Sequence, residues 1–274
     1  MTNNRSRPPT VSLLLAVALV LGVAAPTLAE HEPARLGLAP IGQDGQFFDL
    51  TLRPGERADL QVEVASFDHE DVLARTYAAD VYSIINGGFG AELAGEFPSG
   101  ATHWVDYPAR EVVLRPNEAL IVEFSVTVPS GTPPGDYIAA LVTENADPYL
   151  GNPGSVAAEQ VNRVALAIAI DVPGPRTAGM EIGAVGYKGA DAGSFVTFEV
   201  ANTGNVHLKP SGEFILRDAV GTQLAAAPAL MDSVYAGVET LFEAPLAEAL
   251  EPGAYCAELS LRDETGAADS TACL

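Results

Sequence analysis

A period of two along the chain is the strongest constraint on what it can fold into. In "LIVEFSVTV" (120–128) Leu120, Val122, Phe124, Val126 and Val128 recur at every second position. In "RADLQVEV" (57–64) Ala58, Leu60, Val62 and Val64 alternate with Arg57, Asp59, Gln61 and Glu63. Successive side chains of a strand point to opposite faces, so these runs read as half-buried strands. "VALAIAIDV" (164–172) differs, because Val164, Leu166, Ile168, Ile170 and Val172 stand opposite Ala165, Ala167 and Ala169. Small residues on the second face predict a central strand with close packing on both sides. Helical periodicity is nearly absent; one short helix is expected at "APLAEAL" (244–250), with Pro245 in its first turn.

Pro-Gly, Pro-Asn and Gly-Asp turns separate the runs. Leu-Arg-Pro-x-Glu occurs twice, as "LRPGE" (52–56) and "LRPNE" (114–118). Both read as a corner between strands, with Leu closing one strand, Pro fixing the bend and Glu opening the exposed face of the next. Many short strands with polar outer faces predict sheet packed on sheet, the immunoglobulin-like sandwich. "VPGPRT" (172–177) stiffens the backbone directly after a strong strand and divides the chain. The pattern then restarts, and "LEPGAYCAELSL" echoes the earlier "PPGDYIAALVT". The expected fold is all-β: two tandem immunoglobulin-like β-sandwich domains over 30–173 and 177–274, joined by a linker region at 174–176.

Residues 1–29 combine Arg5 and Arg7, an apolar run and the small-residue end Thr27-Leu28-Ala29, the pattern of a cleaved signal peptide. Export makes a disulfide between Cys256 and Cys273 the expectation. The midpoint between them falls in "DETG", so a hairpin there sets the two opposite each other. Alternation puts Tyr255, Ala257, Leu259 and Leu261 inward and Cys256 outward, which gives the bridge a structural role. The chain holds 14 basic and 36 acidic residues, and removing 1–29 removes two basic ones and no acidic one, so the net charge becomes 12 − 36 = −24. Such a field argues against nucleic acid and against direct membrane binding, and suits cationic partners, divalent metal or neutral glycan.

No nucleophile elbow, HExxH, CxxC pair or phosphate-cradling loop occurs. The four histidines are scattered, so no enzymatic activity and no cofactor are expected. "SFDHEDVLART" (66–76) gathers Asp68, Glu70 and Asp71, weak calcium candidates without the Asp-x-Asp spacing or a supporting glycine; the other reading is a solvated loop. The loop-rich stretch 82–108 holds the only Trp. Tyr82, Asn86, Phe89, Trp104, Asp106 and Tyr107 there could present aromatic faces and polar groups to a glycan. Trp104 has a second reading as a core plug. Tyr149, in "ENADPYLGNPG" (144–154), is a further candidate, or part of an ordinary long loop.

"GQFFDLTLRPGERADLQVEV", "HWVDYPAREVVLRPNEALIVEFSVTVPSGTPPGDYIAALV" and "VNRVALAIAIDVPGP", in that order, resemble the amino-terminal domain of the bacterial WxL-interacting-protein family, in its high-GC Gram-positive form. The resemblance covers about Gln46 to Pro175. It implies a secreted, cell-wall-associated sandwich that binds peptidoglycan, followed by a second immunoglobulin-like domain that contacts another secreted or surface protein. Members usually end in a membrane helix and a basic tail, which this sequence does not show, so wall binding or a partner is expected to hold it at the surface. The alternatives are a chaperone-like or structural module that binds proteins by adding a strand at a sheet edge, and a calcium-dependent adhesin.

Overall fold

The computed structural model describes residues 34–150, 159–190, 193–263 and 266–273; the expected signal peptide and the turn between the cysteines lie outside them. The first part of the chain forms β1 (Leu36–Ile41), β2 (Phe48–Thr51), β3 (Arg57–Ser66), β4 (Val72–Ala79), β5 (Val81–Ser83), β6 (Phe89–Ala91), β7 (Val105–Asp106), β8 (Arg110–Leu114), β9 (Ala119–Thr127), β10 (Gly135–Asn145), β11 (Tyr149–Leu150), β12 (Glu159–Gln160) and β13 (Arg163–Val172). The second part adds β14 (Met180–Ala190), β15 (Gly193–Asn202), β16 (Ser211–Asp218), β17 (Gln223–Leu230), β18 (Glu239–Leu246), β19 (Tyr255–Asp263) and β20 (Gly266–Cys273).

Two sheets, ordered β1-β3-β9-β7 and β2-β13-β10-β4-β8, make the first sandwich. The chain changes sheet between β1, antiparallel to β3, and β2, parallel to β13. Its core holds the residues that alternation places inside: Val62 and Val64 of β3, Val122, Phe124 and Val126 of β9, and Leu166, Ile168 and Ile170 of β13. Phe48 meets Phe124 edge to face at 5.3 Å. The second sandwich has sheets β14-β15-β18 and β17-β16-β19-β20 around a separate core that includes Phe198, Phe214, Phe242 and Leu259. Burying a side chain of this size contributes about 1.5–3 kcal/mol. Both parts belong to one compact unit, Glu32–Leu274.

Both Leu-Arg-Pro-x-Glu copies close the same turn. Gly55 and Asn117 take φ of 87° and 55° at the third turn position, the conformation that glycine and asparagine tolerate best. The glutamate reaches back in each copy: Glu56 accepts the Arg53 N–H at 2.7 Å, and Glu118 accepts the Arg115 N–H at 2.7 Å. The motif is scaffold, and its Glu closes the turn as well as opening the next strand.

Cys256 and Cys273 are opposite each other in the β19–β20 ladder and bonded, with Ala257, Leu259 and Leu261 buried on the other face. The helix expected at 244–250 does not form. Residues 239–246 are strand, paired with β15, and Phe242 and Ala244 fill the second core. The run Phe242, Ala244, Leu246 has the period of a strand, and core burial outweighs the helix propensity of alanine and leucine.

Candidate functional site

The stretch 82–108 divides among several tasks. β5 and β6 form a hairpin on the outer face of the β10–β13 sheet, where Ala79, Ala91, Ala140 and Val142 are buried together with Tyr77. Ala165 of β13 packs against this cluster, as does Phe89. The alanine face is thus covered by a third layer at this point. Tyr82 lies over Gly90, where any Cβ would collide with its ring.

The hairpin tip crosses to the second sandwich. Asn86 donates its N–H to Leu241 at 2.7 Å and receives the Asp232 N–H on its carbonyl at 2.9 Å, while its side-chain oxygen receives the Glu243 N–H at 2.7 Å. Asn86, Gly87 and Gly88 have φ of 62°, 79° and 111°, and a Cβ on Gly87 would strike the Asp232 backbone. Asn86 is therefore an anchor between sandwiches. A second contact joins them at the linker, where Asn205 donates to the Pro134 and Pro175 carbonyls at 2.8 and 3.0 Å.

Trp104 ends a short 3-10 turn, Ala101–Trp104, and packs on the first core with its ring 4.6 Å from that of Tyr137. Tyr107 is buried, its hydroxyl 2.6 Å from that of Thr76. Burial pushes the phenol up, and the Thr76 hydrogen bond opposes this without cancelling it. Asp106 stays exposed on β7. Tyr149 pairs with Gln160 through the backbone, and its side chain lies outside the described residues. The six candidates of 82–108 thus do not converge on one surface. Asp68 accepts the Arg35 N–H at 2.7 Å, while Glu70 and Asp71 are exposed. Among the described residues, no three acidic, His or Cys side chains come together in a metal-binding group.

The arrangement that stands out lies on β13, which the sequence marks as a central strand. β10 lies along one side for almost its whole length, but β2 pairs with it only from Ile168 to Asp171. The Leu52 N–H bonds to the Asp171 carbonyl, so odd-numbered residues of β13 direct their backbone groups to the β2 side. Before Ile168 these are the groups of Ala165 and the N–H of Ala167, and no strand among the described residues pairs with them there. Sequence alone misses this because a paired and an unpaired strand of the same face pattern read alike.

Beside this edge a cleft of about 640 Å³ opens between the sandwiches. Ala167, Ala169 and Ile138 form its floor; Phe47 and Phe89 stand at its sides; His207 and Tyr235 of the second sandwich face it. Its charges are mostly paired. Arg176 bridges Asp136 and Asp171, His207 lies 3.3 Å from Asp136, and Lys209 lies 3.1 Å from Asp232.

No family model and no curated protein matches the chain. Among solved structures it is similar to the class 5 fimbriae chaperone CfaA, with 13% identity and a TM-score of 0.36 over 86% of this chain and 98% of that one. A chaperone–tip subunit complex of the Csu pili of Acinetobacter baumannii gives 10% and 0.38 over 88% and 98%. The SafA–SafB pilin–chaperone complex of Salmonella enterica gives 9% and 0.36 over 89% and 98%. Likeness at this level carries no inference about what the chain does.

Proposed function

We propose that the chain is an exported protein-binding module that takes an extended segment of another protein as an added strand along β13. The supporting observation is the half-free edge at Val164–Ala167, which carries no charge and no proline. Exposed edges are normally blunted by such residues, by brevity or by a cover. Several other edges carry such features: β1 contains Pro40, β7 has two residues, β8 begins with Arg110 and Glu111, β17 contains Pro228, and the Asn86 tip covers part of β18. An uncharged, proline-free edge unpaired among the described residues suits a partner that supplies backbone hydrogen bonds, with alternate side chains providing selectivity. Export rests on residues 1–29 and on the disulfide. Among the described residues no helix is long and apolar enough to cross a membrane.

The test is a display library of random 12-residue peptides, selected on the chain lacking residues 1–29. Enriched peptides should alternate apolar and polar residues and bind at least tenfold more weakly to Ala165→Pro. That substitution removes an N–H aimed at the free edge and no ladder hydrogen bond. An unchanged melting temperature of the variant keeps the comparison clean. Peptides indifferent to Ala165→Pro overturn the reading. Retention on insoluble peptidoglycan without peptide enrichment would favour the glycan expectation, for which Tyr82, Phe89 and Asp106 retain surface.

A further inference from the structure

We propose that the segment added to β13 presents a lysine or arginine to Asp49 and a large apolar side chain to the alanine floor of the cleft. The inference deepens the strand-addition reading and rests on it. Asp49 is exposed on β2, directly beside Ala169 in the register, and it lines the cleft. It has no ion pair or hydrogen-bond partner among the described residues, whereas Asp136, Asp171, Lys209 and His207 around it are all paired.

The geometry sets what an incoming strand can place there. It would run along β13 up to the point where β2 takes over, in line with β2. Its outward-facing side chains would lie in the same row as Ala165 and Ala167, because neighbouring residues of a sheet share a face. Ala165 packs against the β5–β6 cluster, but Ala167 opens onto the cleft with Phe47 and Phe89 as apolar sides, so a leucine-sized group fits above it where a second large residue on β13 would exclude it. The last outward residue of the strand, beside Ala167, stands two residues from Asp49, about 7 Å along the strand direction. An extended Lys or Arg side chain spans that distance, and its stem would lie over the Phe47 ring, which is 45% exposed. The charge is complementary at both scales: an unpaired carboxylate at the end of the groove, in a chain whose net charge without 1–29 is 12 − 36 = −24.

The probes are three fluorescein-labelled seven-residue peptides that alternate threonine and leucine and end in Lys, Gln or Glu. Their binding to the chain is followed by fluorescence polarisation at low salt. The Lys peptide should bind about threefold to fivefold tighter than the Gln peptide, as for a partly exposed ion pair. Asp49→Asn should reduce that ratio to near one while leaving the Gln peptide unchanged. A Lys-to-Gln ratio that survives Asp49→Asn overturns the proposal, since the preference would then come from the net charge alone. Ala165→Pro should weaken all three peptides together. If it leaves them unchanged, or if none binds at millimolar concentration, strand addition itself fails; a change confined to Asp49→Asn tests only the basic residue.

Discussion

Asn86 of the first sandwich and Glu243 of the second are joined as if they were neighbours in one sheet: the Asn86 side-chain oxygen accepts the Glu243 N–H at 2.7 Å, and its amide nitrogen donates to the Glu243 carbonyl at 3.5 Å. A side-chain amide thus stands in for a strand residue along the free side of β18. The edge is occupied and the two sandwiches are held together by the same group.

Asn86→Ala should therefore act on the whole molecule. It leaves the Glu243 N–H without its acceptor and puts an alanine at a φ of 62°, for a cost of about 1–3 kcal/mol. Urea unfolding followed by tryptophan fluorescence measures it. Gly87→Ala should cost at least as much, because its Cβ meets the Asp232 backbone.

The turn at Asn117 needs a left-handed residue and little else. Asn117→Gly should change stability by less than about 0.5 kcal/mol. Asn117→Val should lose about 1–2 kcal/mol, because a β-branched side chain is strained at a φ of 55°. Equal melting temperatures for the two variants would contradict this account of the repeated motif.

Tyr107 separates scaffold from site. Tyr107→Phe leaves the Thr76 hydroxyl, which is fully buried, without its partner, and should cost about 1–3 kcal/mol. Retention on peptidoglycan, or on any selected peptide, should be the same for the folded variant as for the parent chain.

Acid should weaken the fold. Burial alone would raise the Asp80 carboxyl, but hydrogen bonds, those from Ser99 and Gly100 among them, hold it below its ordinary value. The Lys209 ammonium does the same for Asp232, with the Ser233 N–H assisting. Each carboxyl has a lower pKa folded than unfolded, so below about pH 4 the unfolded chain binds more protons. Their stabilisation is complete above the unfolded values and is lost as pH falls through the folded ones. The urea midpoint should drop between pH 6 and pH 3, and the drop should be shallower in Asp80→Asn; a midpoint that climbs toward acid would show the opposite linkage.

Much of the architecture was legible in the residues. Val122, Phe124 and Val126, or Ala257, Leu259 and Leu261, could be assigned to the inside because a strand has only two faces. The cysteine pairing followed from the same parity, since a hairpin centred between Cys256 and Cys273 has one register that joins them. Reading failed at 244–250, where alanine and leucine suit a helix locally while Phe242, Ala244 and Leu246 suit a strand. Core contacts decided that contest.

The candidate site was legible only as a region. Asn86, Trp104 and Tyr107 resemble a recognition surface in composition, yet Asn86 anchors the second sandwich, Trp104 packs on Tyr137 and Tyr107 bonds to Thr76. Sequence alone determined the alternation, the turns and therefore which side of each strand meets a core. Only the tertiary structure decided which strand keeps a free edge. Faces follow from covalent geometry within one strand, whereas an edge depends on which distant segment comes to lie beside it, and β2 stops at Ile168 of β13.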